Sequence, residues 1–115
     1  MNVEDLVAEL KEAGSWLTKA DEMLAKAAYQ TAKNKVVLNS GMRKKFDSKV
    51  SSAASNLATA AKQSTYDKQM SYYSKAWADS MNAVAYADVP AKASGKALKV
   101  EEESYLTDKE TEPDE

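Results

Sequence analysis

The spacing of apolar residues near the start of this 115-residue chain restricts its fold more than any other feature. Val3, Leu6, Leu10, Ala13, Leu17, Ala20, Leu24, Ala27, Thr31 and Leu38 follow alternating steps of three and four, with a polar interruption at Asn34. A seam held in that rhythm over several heptads predicts a helix built for coiled-coil packing. Gly14 and Ser15 interrupt it locally, and a glycine inside a helix costs about 1 kcal/mol relative to alanine. A kink or break near Gly14, with Ser15 or Thr18 capping a new start, and an uninterrupted passage both stay open, since the seam keeps its phase there; the reading is a short helix running into a long one that ends near residue 48. Trp16, Met23 and Val37 widen the apolar face beyond what a two-helix contact needs. Leu10, Trp16, Leu17, Met23, Leu24 and Leu38 are accordingly the candidate oligomer-interface residues.

Between residues 48 and 65 the chain is dense in Ser, Thr and Ala, with a sparse apolar set at Val50, Ala54, Leu57 and Ala61. That spacing fits a short connecting helix whose serines form its cap and the turn before it. From about Thr65, Tyr66, Met70, Tyr73, Trp77, Ser80, Val84 and Ala87 again step along one face. A second long helix is predicted to about Asp88, stopped by Pro90, which forces Val89 out of the α region. No alternating β-branched run with turn signals exists, so strands are not predicted. The expected class is all-α: a long antiparallel helical hairpin over residues 1–90 with a short helical connector, coiled-coil-like and homo-oligomeric. Residues 91–115 follow as a basic-then-acidic tail. Its last fifteen residues carry a net charge of minus seven with few apolar groups, too little burial to offset ordering entropy, so it is expected to be flexible.

Composition excludes several chemistries. With no cysteine and no histidine, there is no thiol nucleophile, no imidazole base and no zinc-thiolate set. The three glycines are isolated, so no phosphate loop is present, and no paired acids form a recognisable constellation. The expectation is a non-enzyme without metal or cofactor. Acids in MNVEDLVAEL stand where a signal peptide needs an apolar run, and no stretch is long and apolar enough to span a bilayer. A cytoplasmic protein with no membrane partner is expected.

The overall charge of minus two conceals segregation. Residues 1–25 sum to minus four and residues 26–75 to plus eight. On the hairpin reading, Arg43, Lys44, Lys45 and Lys49 crown one end, with Lys33, Lys35, Lys62 and Lys68 beside them and Tyr72 available to stack a base. Such a cluster binds phosphates by counterion release, and aromatic faces hold single-stranded bases. The same charges would also suit the solvated face of a helix, and both readings stay open. Tyr66, Tyr73 and Trp77 sit on the apolar stripe and are expected in the core. The acidic tail reads as a solubilising appendage or as a competitor for the basic end.

The run AKAAYQTAKNKVVLNSGMRKK, followed by VSSAASNLATAAKQSTYDKQMSYYSKA, resembles the UvsY recombination-mediator family of tailed phages. The likeness lies in a long helix carrying Tyr-x-x-Ala-Lys, a basic turn, and an Ala-rich helix ending in Ser-x-Tyr. It spans roughly residues 3–85. The resemblance implies a homo-oligomer in the bacterial host cytoplasm that binds single-stranded DNA and helps a recombinase displace a single-strand-binding protein. Lys33, Lys35, Arg43, Lys44, Lys45 and Lys49 match its basic part, and the chain departs from the pattern after Pro90. Two alternatives stand beside it: a protein-binding regulator or host-defence inhibitor acting through acidic surfaces, and a structural coiled-coil component.

Overall fold

The computed structural model describes residues 2–92, and all of its regular structure is helical. Three long helices, α1 (Val3–Lys33), α2 (Arg43–Ala61) and α3 (Tyr66–Ala87), are joined by a connection containing a single 3-10 turn at Ser40–Met42 and by a tight turn after Ala61. The all-α class and the helical hairpin stand; the arms of the hairpin are α2 and α3. The tail predicted as flexible lies outside the described residues from residue 93 onward.

Local chemistry explains each boundary. Asn2 caps α1, its side-chain oxygen accepting from the Asp5 N–H at 2.8 Å. Glu4 and Asp5 in the first turn and Lys33 in the last complement the helix dipole. The helix runs unbroken through Gly14, which settles the choice left open between a break and a continuous passage. The Tyr66 ring lies on Gly14 so closely that an added Cβ would stand 2.6 Å from Tyr66 Cδ2. The glycine is thus a docking point rather than a break. Thr18 caps nothing: its hydroxyl donates to the Gly14 carbonyl at 2.7 Å, inside the helix.

The first helix ends at Lys33, not near residue 48. Asn34 closes it, and the β-branched pair Val36–Val37 followed by Asn39, Ser40 and Gly41 favours extended and turn backbone over helix. Asn39 organises the connection. Its side-chain oxygen accepts from the Gly41 N–H at 2.8 Å, and its amide donates to the carbonyls of Pro90 at 2.9 Å and Ala91 at 3.2 Å. Leu38 therefore sits in the connection, its N–H donating to the Ala87 carbonyl at 3.2 Å, and is not part of the α1 seam.

The connector helix is longer than predicted, 19 residues from Arg43, because Ser48, Ser51, Ser52 and Ser55 belong to its body instead of a preceding turn. Thr65 caps α3, accepting from the Lys68 N–H at 3.3 Å, and α3 ends at Ala87, as Pro90 requires.

Helix α3 is the centre of the molecule. Gly14 meets Tyr66 at the start of α3, and Ala32 joins Ala83 and Ala87 at its end, so α1 runs parallel to α3. Phe46 joins Tyr86 and Ala60 joins Tyr73 and Ala76, so α2 runs antiparallel to it. Flanked on both sides, α3 buries Tyr73, Ala76, Ala78, Asp79, Ser80, Asn82, Ala83, Tyr86 and Ala87. Most of these are small, and small contact residues let helix axes approach closely. Met42, Phe46, Tyr86 and Val89 supply the larger groups of the core at the end where α3 stops.

Candidate nucleic-acid interface

The end of α1, the start of α2 and the end of α3 meet at one tip of the molecule, and most of the mid-chain cations gather there. Lys44, Lys45 and Lys49, with Ser48 and Tyr86, line an open groove of about 250 Å³. Lys45 and Lys49 are four residues apart and Ser48 completes the turn between them, so a single face of α2 presents all three hydroxyl and ammonium groups. The Lys45 Nζ lies 5.8 Å from the centre of the Tyr86 ring. The 3-10 turn leads straight into α2, the Arg43 N–H donating to the Ser40 carbonyl, and the first turn of α2 holds no acid, so the positive pole of the helix adds to the lysine field.

The remaining tip cations have other contacts. Lys33 Nζ lies 5.4 Å from the Tyr29 ring centre. Lys35 Nζ pairs with Asp88 Oδ1 at 2.7 Å. Arg43 pairs with Asp47 at 3.0 Å and lies over the Phe46 ring at 5.3 Å. The tip is therefore not clear of carboxylates, because helix spacing places Asp47 one turn beyond Arg43 and the α3 terminus places Asp88 beside Lys35. Both pairs are solvent-exposed, a setting in which an ion pair contributes about 0–1 kcal/mol and can be exchanged for a phosphate. Among the described residues, Lys33, Lys44 and Lys45 make no ion pair.

Lys49 has a share in the fold as well. Asp79, buried between α2 and α3, accepts from Ser52 Oγ at 2.6 Å and Asn56 Nδ2 at 2.9 Å on one oxygen. Its other oxygen faces Lys49 Nζ at 3.9 Å. A buried carboxylate needs such partners to offset lost hydration. Asp79 thus ties the floor of the groove to the core.

Three predicted residues lie elsewhere. Lys62 follows the last turn of α2 and Lys68 opens α3, which puts them about 27 Å along α2 from Arg43 at 1.5 Å per residue. Tyr72 is half-buried, packed against the cluster of Ala25, Ala60, Tyr73 and Ala76, with Lys75 Nζ over its ring at 4.6 Å. The aromatic ring at the groove is Tyr86 instead. Its position could have been found by pairing the end of α3 with the start of α2, once α2 was known to begin at Arg43. Trp77 packs against the same cluster as Tyr72, in line with its structural reading, and Tyr73 is buried while Tyr66 keeps one side exposed.

The candidate oligomer-interface residues lie on the surface of the single chain. Leu10, Trp16, Leu17, Met23, Leu24 and Leu38 are all between 53% and 68% exposed. α1 packs onto α3 through Gly14, Thr18, Asp21, Ala25, Ala28 and Ala32, a different and smaller-residue face. Beside it, Asp21 lines a small cleft with Leu24, Tyr73, Ser74 and Trp77, and burial raises its carboxyl above the usual value. Burial likewise raises the Tyr73 hydroxyl, and the Glu22 carboxylate, 2.6 Å away, raises Lys26.

Among the described residues no cluster of acids is arranged to hold a metal ion, and no helix is long and apolar enough to cross a membrane. In comparison with known proteins, the chain matches no family model, no curated sequence and no solved structure.

Proposed function

We propose that this protein is a non-enzymatic accessory factor that holds the backbone of single-stranded nucleic acid, single-stranded DNA in the recombination-mediator reading, at the tip formed by α2. The observation that supports this reading is the convergence of Lys44, Lys45 and Lys49 on one open groove with Ser48. Arg43, Lys33 and Lys35 surround it and extend the positive field over a few nucleotides. Lysine ammonium groups and a hydroxyl recognise phosphate oxygens without regard to base, so binding is sequence-independent and driven by counterion release. In this reading the protein acts in the bacterial cytoplasm, its partners are the DNA strand, a recombinase or single-strand-binding protein, and further copies of itself.

The test is fluorescence anisotropy of a labelled single-stranded oligonucleotide across a salt series. With about three phosphates engaged, log K should fall against log salt with a slope near −2, at roughly −0.7 per phosphate. Lys44→Glu with Lys45→Glu should abolish binding, since neither residue supports the core. Binding that ignores salt, or survives the double charge reversal, contradicts the proposal.

The exposed apolar face of α1 favours a second reading, in which the chain is a coiled-coil component of an assembly and the tip is only a solvated end. Stable assembly with no oligonucleotide affinity at low salt would select it.

A further inference from the structure

We infer that α3 holds a third partner, residues 93–115 of the same chain, along a seam that neither α1 nor α2 covers. The inference concerns how the chain packs on itself and does not depend on nucleic acid.

The seam is written in α3. Ser71, Lys75, Ala78, Asn82 and Ala85 follow one another by steps of four and three, the rhythm of a helix that packs along its length against another segment. Tyr66, which touches α1 at Gly14, and Asp79, which accepts from Ser52 and Asn56 of α2, mark the two sides already occupied. At about 100° per residue, Ala78 lies roughly 100° or more from both. It belongs to neither of the two apolar clusters that α3 builds with α1 and α2. Yet Ala78 and Asn82 are both 0% exposed within the single chain. The cover on this side is therefore intramolecular, and residues 93–115 are the stretch left to supply it.

Asn82 sets the chemistry of that cover. Its Nδ2 and Oδ1 are buried with no hydrogen-bond partner among the described residues, and a buried amide in that state is unfavourable unless a polar group reaches it. The covering segment has to bring backbone or polar side chains to the middle of the seam, which a leucine face would not do. Residues 93–115 are of that mixed kind: Ser94, Ser104 and Thr107 stand among Leu98, Val100, Tyr105 and Leu106. The small side chains of Ser71, Ala78 and Ala85 leave room for those four larger groups, large against small.

Charge and reach agree. Lys68 and Lys75 stand one heptad apart in the row of Asn82, and the segment carries Glu101, Glu102 and Glu103, opposite in sign. Lys44 and Lys45 at the tip would attract the same acids, yet both stand exposed, whereas the seam is covered. Asn39 donates to the carbonyls of Pro90 and Ala91, which holds the root of the segment at the end of the seam where α3 stops. From Ala85 back to Ser71 the seam runs about 21 Å, at 1.5 Å per residue. Residues 93–115 exceed that length in helical or extended form.

The chain has no natural cysteine, so thiol labelling of the full-length protein reads the cover without background. Ala78→Cys is compared with Ala58→Cys, exposed on α2, and with Ala25→Cys, buried between α1 and α3. Thermal midpoints confirm that each variant folds, and Ala85→Cys is the second reporter on the same seam should residue 78 not accept a sulfur. Residue 78 should react roughly tenfold or more slowly than residue 58, as expected of a group that reacts only after local opening. Adding Leu98→Asp, Val100→Asp and Leu106→Asp should restore fast labelling at residue 78 and leave residue 25 protected. The Lys44→Glu/Lys45→Glu variant should keep the protection at residue 78 even if it loses DNA, which separates this inference from the proposed function. Fast labelling at residue 78 in the otherwise natural chain would show an open seam and overturn the inference. Protection that survives the three aspartates, or that fades on dilution because a second copy supplied it, would overturn it too.

Discussion

Helices α1 and α3 carry the same kind of apolar rhythm, yet the fold treats them oppositely. Along α3 the stripe of Tyr73, Trp77, Ser80, Val84 and Ala87 turns inward and is buried or half-buried. Along α1 the stripe of Leu10, Leu17 and Leu24 turns outward, and the small face of Gly14, Thr18, Ala25 and Ala32 docks on α3. The difference follows from what each contact can accommodate. Helix α3 is covered on two sides, by α1 and by α2, and its partners approach through alanines, so a leucine row from α1 would hold the axes apart. Periodicity marks a face that needs cover; side-chain size and the competing faces decide which cover it receives.

The contrast can be broken first by truncating one residue of each kind. Phe46→Ala removes a buried ring from the α2–α3 core and should cost about 3–5 kcal/mol. Leu17→Ala should leave the stability of the single chain within about 0.5 kcal/mol, as expected of an exposed position. Urea denaturation at the lowest workable protein concentration measures both. A loss at Leu17 as large as that at Phe46 would mean that the seam is buried within one chain.

A smaller effect is expected where α1 and α3 touch. Gly14→Ala would ordinarily stabilise a helix by about 1 kcal/mol. Here the new methyl meets the Tyr66 ring, and overpacking of this kind costs about 1–3 kcal/mol. The net change should be destabilising by about 1 kcal/mol, and Tyr66→Ala in the same chain should convert Gly14→Ala back to a gain. A double-mutant cycle on thermal midpoints reads this coupling. A simple gain from Gly14→Ala alone would put the ring elsewhere.

The smallest effect concerns the edge of the same contact. Burial raises the Asp21 carboxyl above its ordinary value, so folding favours the protonated form. Its contribution is fully present below the unfolded carboxyl value, near pH 4, and is lost as pH rises through the higher folded value. At neutral pH the ionised group is a slight cost, and Asp21→Asn should raise stability by a few tenths of a kcal/mol, roughly the scale of a surface change. Comparing urea midpoints of the two proteins near pH 7 and near pH 3 should show the advantage shrinking with acid.

Much of the fold was legible because its signals were local. Pro90 fixed the end of α3, the apolar rhythm from about Thr65 its start, and the charge pattern placed Arg43, Lys44, Lys45 and Lys49 on one tip. The break after Lys33 was hidden because Leu38 lies one heptad beyond Thr31, so the seam kept its phase across a segment that is not helical. Gly14 left a break open because its reason for being glycine, the Tyr66 ring, is 52 positions away in the chain. The serines of α2 read as a turn because their partner is tertiary: Ser52 and Asn56 satisfy Asp79, and only the pairing of α2 with α3 reveals it. The same late-found pairing removed Lys62, Lys68 and Tyr72 from the groove and brought in Ser48 and Tyr86.

The most direct measurement of the outward seam is the emission of Trp16 in a Trp77→Phe variant, followed by dilution alongside the mass of the particle. The account predicts that Trp16 is shielded while the protein is paired and shifts to a water-exposed spectrum as the mass falls to that of one chain. A Trp16 that stays shielded in a monomer would contradict it, because the large face of α1 would then be folded inward.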